Sequence, residues 1–402
     1  MIELENISHV YKGLMLRNRA FASFKEKDEL DIILGDLAKY APQGEYILDP
    51  MSGYGGGMRF FGKNGYKTVN VELNPPAYYW QVLNNPINTV AICDFIERLL
   101  TKRNKLPDIK QELSISDNFF TEEAIIFIEA LYKYLLVLNN ENAELTISVL
   151  LPFVSRFANY QRSSTNITHF KEGGLCSYTN WQSDFIVYLE ELSRRLLESL
   201  TFYRETEHCN ILSDIMNVEF TDKFAYFVTS PPYPNYRDYS KLFRIENWVL
   251  DNIIYKKATN FERMIGSNNV SGKSYGEIYS QSANKFLSEL LEKSKKLQKK
   301  SKRDIEVYYH PYFCQYFYNI QEAYKKLDSM LSPKAMGYIV VNDNITRDIS
   351  IPVGASICDI FSSLGYNTED FNTSQISHYG NIGKAAKRIN SHHTRHILKV
   401  WK

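Results

Sequence analysis

Four short apolar runs, each ending in chemically useful residues, constrain the fold of this chain more than any other feature. They read EYILDP (45–50), KTVNVELNP (67–75), FAYFVTSPPY (224–233) and MGYIVVND (336–343), with a further β-like run, RHILKVW (395–401), downstream. Runs of this kind suit strands buried on both faces, as in a parallel sheet. Helical patterns lie between them. DELDIILGDLAKY (28–40) precedes the first run, and TEEAIIFIEALYKYLLVL (121–138) opens with Thr121 as an N-cap and Glu122 and Glu123 in the first turn. SDFIVYLEELSRRLLESL (183–200) sets Phe185, Leu189, Leu192 and Leu196 on one face. Strands alternating with helices predict an open, doubly wound, mostly parallel α/β sheet.

The spacing is uneven. About 150 residues separate the second run from FAYFV, far more than an ordinary crossover needs. Residues 95–205 are therefore expected to form a mostly helical insertion in one discontinuous domain, built from 1–94 and 206–402. A second gap, 240–330, holds the aromatic-rich EVYYHPYFCQYFYNI (306–320) and the basic run EKSKKLQKKSKR (292–303).

A length of 402 residues suits one large domain with insertions, or two domains. With 44% hydrophobic and 23% charged residues, the chain has the composition of a folded protein. No apolar run reaches the ~18–20 residues that span a bilayer, and MIELENISHVYKG lacks the basic-then-apolar form of a signal peptide. Five scattered cysteines, with no CxxC pair and no histidine at zinc-ligand spacing, point to a reducing cytoplasm and no structural metal. Lys plus Arg (47) nearly balances Asp plus Glu (46), so a nucleic-acid role needs a local basic stripe. The run at 292–303 supplies one, through Lys295, Lys296, Lys299 and Lys300 among others. As cations at a helix end, the same residues also read as a solvated C-terminus.

The first run leads directly into LDPMSGYGGGM (48–58). In open α/β sheets the ligand crevice lies at the carboxyl ends of the strands, so Asp49, Pro50, Gly53 and Gly55 fall where a cofactor would sit. Glycine suits a tight turn that the ligand approaches closely. Met58 stands where a nicotinamide fingerprint would have its third glycine, and the Lys-Ser/Thr pair of a phosphate-cradling loop is absent. Glu72 ends the second run roughly 20 residues on, the distance at which a carboxylate meets ribose hydroxyls. The pattern implies a nucleoside ligand without phosphate demands.

DPMSGYGG resembles the D-P-x-x-G-x-G loop of S-adenosylmethionine-dependent amino-methyltransferases, and TSPPY (229–233) resembles their catalytic motif. In this order the two motifs look like those of DNA methyltransferases that modify exocyclic amines. The group that methylates cytosine N4 favours Ser before Pro-Pro, whereas the adenine-N6 group usually has Asp or Asn. The resemblance implies a class I methyltransferase-like sheet with an antiparallel final strand, to which RHILKVW corresponds. It implies S-adenosylmethionine as cofactor and DNA as substrate. It also assigns an Asp to the cofactor's adenine amine: Asp214, in HCNILSDIMNVEF, is favoured, with Asp94 the competitor.

An exocyclic base amine is a poor nucleophile, because its lone pair is delocalised into the ring. Transfer needs that nitrogen held in line with the methyl donor and its hydrogens drawn by acceptors. Ser230 offers a hydroxyl oxygen, the Pro231 carbonyl a second acceptor, and Pro232 a fixed φ that presents it. Tyr233 offers a flat face to a base flipped out of the duplex. A serine hydroxyl both donates and accepts, so it can engage the amine and the ring nitrogen of cytosine, whereas a carboxylate only accepts. Downstream, Arg237 and Lys241 in NYRDYSKLFRIENWVL are candidate phosphate contacts or simply the start of an amphipathic helix. The resulting expectation is a cytosine-N4 DNA methyltransferase, the modification partner of a cognate restriction endonuclease or a defence system. Adenine-N6 methylation, an RNA or protein-glutamine methyltransferase, and a non-catalytic DNA-binding homologue stand as alternatives.

Overall fold

The computed structural model describes residues 27–107, 119–154, 157–158, 160–162, 168–170, 181–200, 206–234, 243–259, 264–266, 275–298, 303–379 and 390–402. Ten strands occur among them: β1 (Tyr46–Asp49), β2 (Lys67–Glu72), β3 (Tyr160–Arg162), β4 (Thr168–Phe170), β5 (His208–Leu212), β6 (Phe224–Thr229), β7 (Leu331–Thr346), β8 (Ile349–Ile351), β9 (Asn367–Tyr379) and β10 (Asn390–Trp401). The main sheet has the order β5-β2-β1-β6-β7-β10-β9, and β8 folds back on the end of β7. The first five strands of that order are mutually parallel, and β10 runs antiparallel between β7 and β9. β3 and β4 form a separate two-stranded hairpin. From β1 the chain winds outward through β2 to β5, then returns to lay β6 and β7 on the other side. The strand order therefore reverses between β1 and β6, and a crevice opens there at the carboxyl edge.

Eleven α-helices accompany the strands: α1 (Lys27–Leu37), α2 (Gly56–Lys63), α3 (Pro75–Leu83), α4 (Pro86–Thr101), α5 (Glu122–Leu138), α6 (Ala143–Val154), α7 (Trp181–Leu200), α8 (Arg244–Val249), α9 (Gln281–Lys295), α10 (His310–Asp328) and α11 (Val353–Ser363). Their starts follow local chemistry. Thr121 caps α5 by accepting from the Ala124 N–H at 3.2 Å, Ser280 caps α9 through Ala283, and Pro86 opens α4 behind the Asn85 cap. On one face of the sheet, Leu30, Ile33 and Leu37 of α1 and Met58 and Phe61 of α2 pack on Val228 and Val340. On the other face, α9, α10 and α11 cover Leu48, Phe227 and Ile339. The result is a doubly wound, mostly parallel α/β sheet.

A third hydrophobic cluster lies off the sheet. It joins α3 to α7 and α8 around Trp181, Phe127, Phe153 and Phe185, and it takes in Tyr54 of the glycine loop. The helix at 121–138 appears with the expected Thr121 cap; the one expected at 183–200 starts two residues earlier, at Trp181, and Phe185, Leu189, Leu192 and Leu196 are all buried. Five strands are absent from the sequence expectation: β3, β4, β5, β8 and β9. β5 stands at one sheet edge with a mixed exposure pattern, and β9, NTEDFNTSQISHY, stands at the other. An edge strand faces water on one side and needs no continuous apolar run. Among the described residues, no helix is long and apolar enough to cross a membrane.

Candidate cofactor and catalytic cleft

β1 ends in Asp49, and the chain then turns through Pro50 into the glycine loop. Gly53 and Gly55 take φ of +54° and +67°, in the left-handed region that a side chain disfavours. At Gly55 a Cβ would also stand 3.1 Å from Gln81 Cγ. Gln81, on α3, holds the loop from behind: its amide donates to Ser52 Oγ at 2.8 Å and to the Gly53 carbonyl. Ser52 in turn donates through its N–H and its hydroxyl to the Val71 carbonyl of β2, each at 3.0 Å. The loop is thus pinned to the neighbouring strand.

Asp49 is 2% exposed. Its Oδ1 accepts from the Met51 N–H at 3.1 Å and from the Thr229 hydroxyl at 2.7 Å. Thr229 is the residue before Ser230, so this contact ties the glycine loop to the Pro-Pro corner across 180 positions of sequence. Burial pushes the Asp49 carboxyl up to about 7, against those two hydrogen bonds. Glu72 ends β2 at the same edge, and its Oε1 accepts from the Asn74 N–H at 2.7 Å. Desolvation in the crevice, with a smaller push from Asp49, raises it to about 8 despite backbone donors at Asn74, Gly53 and Leu73.

Next along the edge comes Asp214. The Ser213 N–H donates to the Glu72 carbonyl at 2.9 Å, which sets Asp214 just beyond the end of β5. Its side chain caps the short 3-10 turn Ile215–Asn217 by accepting from Met216 N–H at 2.9 Å, and it is half-buried. Asp94, the competitor, lies exposed in the middle of α4. No strand precedes it at a crevice-forming distance, because α3 and α4 follow β2 directly.

The corner after β6 is held from three sides. Ser230 is 7% exposed, and its Oγ lies 2.7 Å from the Tyr233 hydroxyl. Tyr233 donates its proton to the Val340 carbonyl of β7 at 3.3 Å. Either hydroxyl can donate across the 2.7 Å contact; when Tyr233 gives its proton to Val340, Ser230 donates to Tyr233 and its oxygen keeps lone pairs for an incoming donor. The Tyr316 hydroxyl, from α10, donates to the Pro232 carbonyl at 3.1 Å. Pro231 is buried, whereas Pro232 and Tyr233 are half-exposed. Thr229, Gln81 and Tyr316 were not singled out from sequence. Thr229 had a signal in its adjacency to Ser230, but the other two come from distant helices.

The outer candidates divide. Lys295 pairs with Glu292 at 2.5 Å, and Lys296 is exposed at the C-cap of α9. Arg237, Lys241, Lys299 and Lys300 lie outside the described residues. Comparison of the chain with known protein families, curated proteins and solved structures returns no match.

Proposed function

We propose that this protein is an S-adenosylmethionine-dependent DNA methyltransferase acting on an exocyclic base amine, with cytosine N4 the favoured target. The observation that carries the reading is the Thr229–Asp49 hydrogen bond at 2.7 Å. It places two motifs that resemble those of amino-methyltransferases side by side at the reversal of strand order. The antiparallel β10, set between β7 and β9, also agrees with a class I methyltransferase-like sheet.

The residues fit the cofactor that this reading requires. Gly53 and Gly55 leave those two positions of the loop without side chains, and a Cβ at Gly53 would meet nothing within 4 Å. Glu72 offers a carboxylate to ribose hydroxyls one strand away, and Asp214 lies one strand further, where an adenine amine would extend. Bound S-adenosylmethionine supplies the activated methyl group. Ser230 Oγ, with its own proton on Tyr233, accepts from the target amine and draws electron density toward the attacking nitrogen. The expected second role for this serine, donation to the cytosine ring nitrogen, requires its proton to turn away from Tyr233. Preference for cytosine over adenine therefore rests on the resemblance of TSPPY, with Ser before Pro-Pro, to the cytosine-N4 group.

The test is incubation with isotopically labelled cofactor and mixed-sequence DNA, followed by nucleoside mass spectrometry. Labelled N4-methylcytosine is the expected product. N6-methyladenine alone would move the target to adenine, and label in RNA or protein alone would remove DNA as substrate. Ser230→Ala should retain cofactor binding and lower turnover by roughly 10²-fold or more, the scale of one lost transition-state contact. Unchanged turnover in that variant would remove Ser230 from the chemistry.

A further inference from the structure

Arg59 lies in the first turn of α2, immediately after the glycine loop, and its side chain folds back over that loop. Its Nη1 donates to the Tyr54 carbonyl at 2.7 Å, and its Nη2 stands 4.0 Å from where a Cβ on Gly56 would be. Among the described residues no carboxylate pairs with it. A guanidinium carries five N–H donors in a flat fork and stays charged in proteins. Here one donor is used, on a neutral carbonyl. The residue is half-buried, and the desolvation it suffers, with no anion at hand, lowers the group to about 10. A partly desolvated cation with free donors favours an anionic partner.

The reading proposed above leaves one end of the cofactor unassigned. Its nucleoside lies toward Glu72 and Asp214, and its methyl lies toward Ser230. The remaining arm is an amino acid, whose α-carboxylate is the anion the molecule carries. It has to pass the glycine loop, on the side where Gly53 faces open space. We infer that Arg59 binds the α-carboxylate of the S-adenosylmethionine amino-acid arm, with the fork across the glycine loop as its seat. A flat two-oxygen anion matches that fork. The inference rests on the cofactor reading and adds a specificity element to it: the protein should distinguish ligands by their amino-acid arm. A DNA phosphate is the other source of an anion, and the experiment separates the two.

Calorimetry with S-adenosylhomocysteine and with 5′-methylthioadenosine, which lacks the amino-acid arm, tests this on the full chain. The ligands are compared on wild type, Arg59→Gln and Arg59→Lys, with thermal melting to establish that each variant folds. The expected result is a roughly 10- to 100-fold loss of S-adenosylhomocysteine affinity in Arg59→Gln. Methylthioadenosine affinity should stay unchanged, and Arg59→Lys should recover part of the loss. Equal loss for both ligands, or no loss for either, would overturn the assignment while leaving the cofactor reading in place. Loss of duplex DNA affinity in Arg59→Gln with nucleoside binding intact would give the anion to a phosphate and also overturn it. Should wild type bind neither nucleoside, the cofactor reading falls and takes the assignment with it.

Discussion

Glu72 and Asp49 are two carboxyls that burial holds near neutrality, and that position has a direct consequence for binding. Glu72 is raised to about 8, whereas an unfolded glutamate titrates near 4.3. The unliganded native state therefore keeps a proton that the unfolded chain releases, and this group's contribution to stability falls as pH rises between those values. A ribose held through its hydroxyls needs acceptors, which favours the ionised form and lowers the carboxyl in the complex. Binding then releases a proton at pH 6–8. Affinity for S-adenosylhomocysteine should rise across that range, by at most about tenfold per pH unit, and level off above pH 8. Glu72→Gln should weaken binding and flatten the profile, which calorimetry across pH 6–9 would measure. A wild-type profile already flat over that range would take Glu72 away from the ribose.

Among the elements, β6 and β7 meet tightly at Gly337. Phe227 of β6 is paired with it in register, and the phenyl ring crosses so near that a Cβ on Gly337 would fall 2.1 Å from Phe227 Cε1. The ring stacks on Phe361 of α11 at 5.9 Å, so it has little room to yield. Gly337→Ala should destabilise the protein by ~1–3 kcal/mol or more through overpacking, read as a lower denaturation midpoint; an unchanged midpoint would mean the ring is not held there. The MGYIVVND run had no feature that marked this glycine, because the constraint comes from a ring 110 positions earlier in the chain. Legibility from sequence follows the same division. The central strands and their terminal residues Asp49 and Glu72 announce themselves, since a strand buried on both faces is mostly apolar up to its carboxyl end. β5 and β9, at the sheet edges, carry polar residues and pass for loops. Asp214 was singled out from the order of neighbouring elements, and its place beside Glu72 comes from β5. Side chains that arrive from other elements, such as Gln81 and Tyr316, leave no local pattern at all.

Taken whole, the molecule sets a helical cluster against a doubly wound domain, and they meet at the glycine loop. Tyr54 makes edge contacts with Trp80 at 6.0 Å and Phe243 at 5.7 Å, so the loop's outer ring belongs to the helical core. On the opposite face, the end of α9 is anchored at the same carboxyl edge: Lys293 pairs with Asp348 in the β7–β8 turn at 3.2 Å. The lysine run leaves the helix from that point. If it tracks a DNA backbone, charge removal at Lys295, Lys296, Lys299 and Lys300 should weaken binding equally on all sequences. The log–log salt slope should then flatten by about 0.9 per lost contact; an unaltered slope in a filter-binding titration would return the run to a solvated helix end. The first sheet face closes in a different way. Glu29 of α1 pairs with Arg395 of β10, 366 positions away, and Asp36 pairs with Lys399, all four being nearly buried. On a ribosome, α1 emerges hundreds of residues before its partners exist. Its acids must remain in water through most of synthesis, and that face of the sheet cannot seal while translation of the intervening chain is under way.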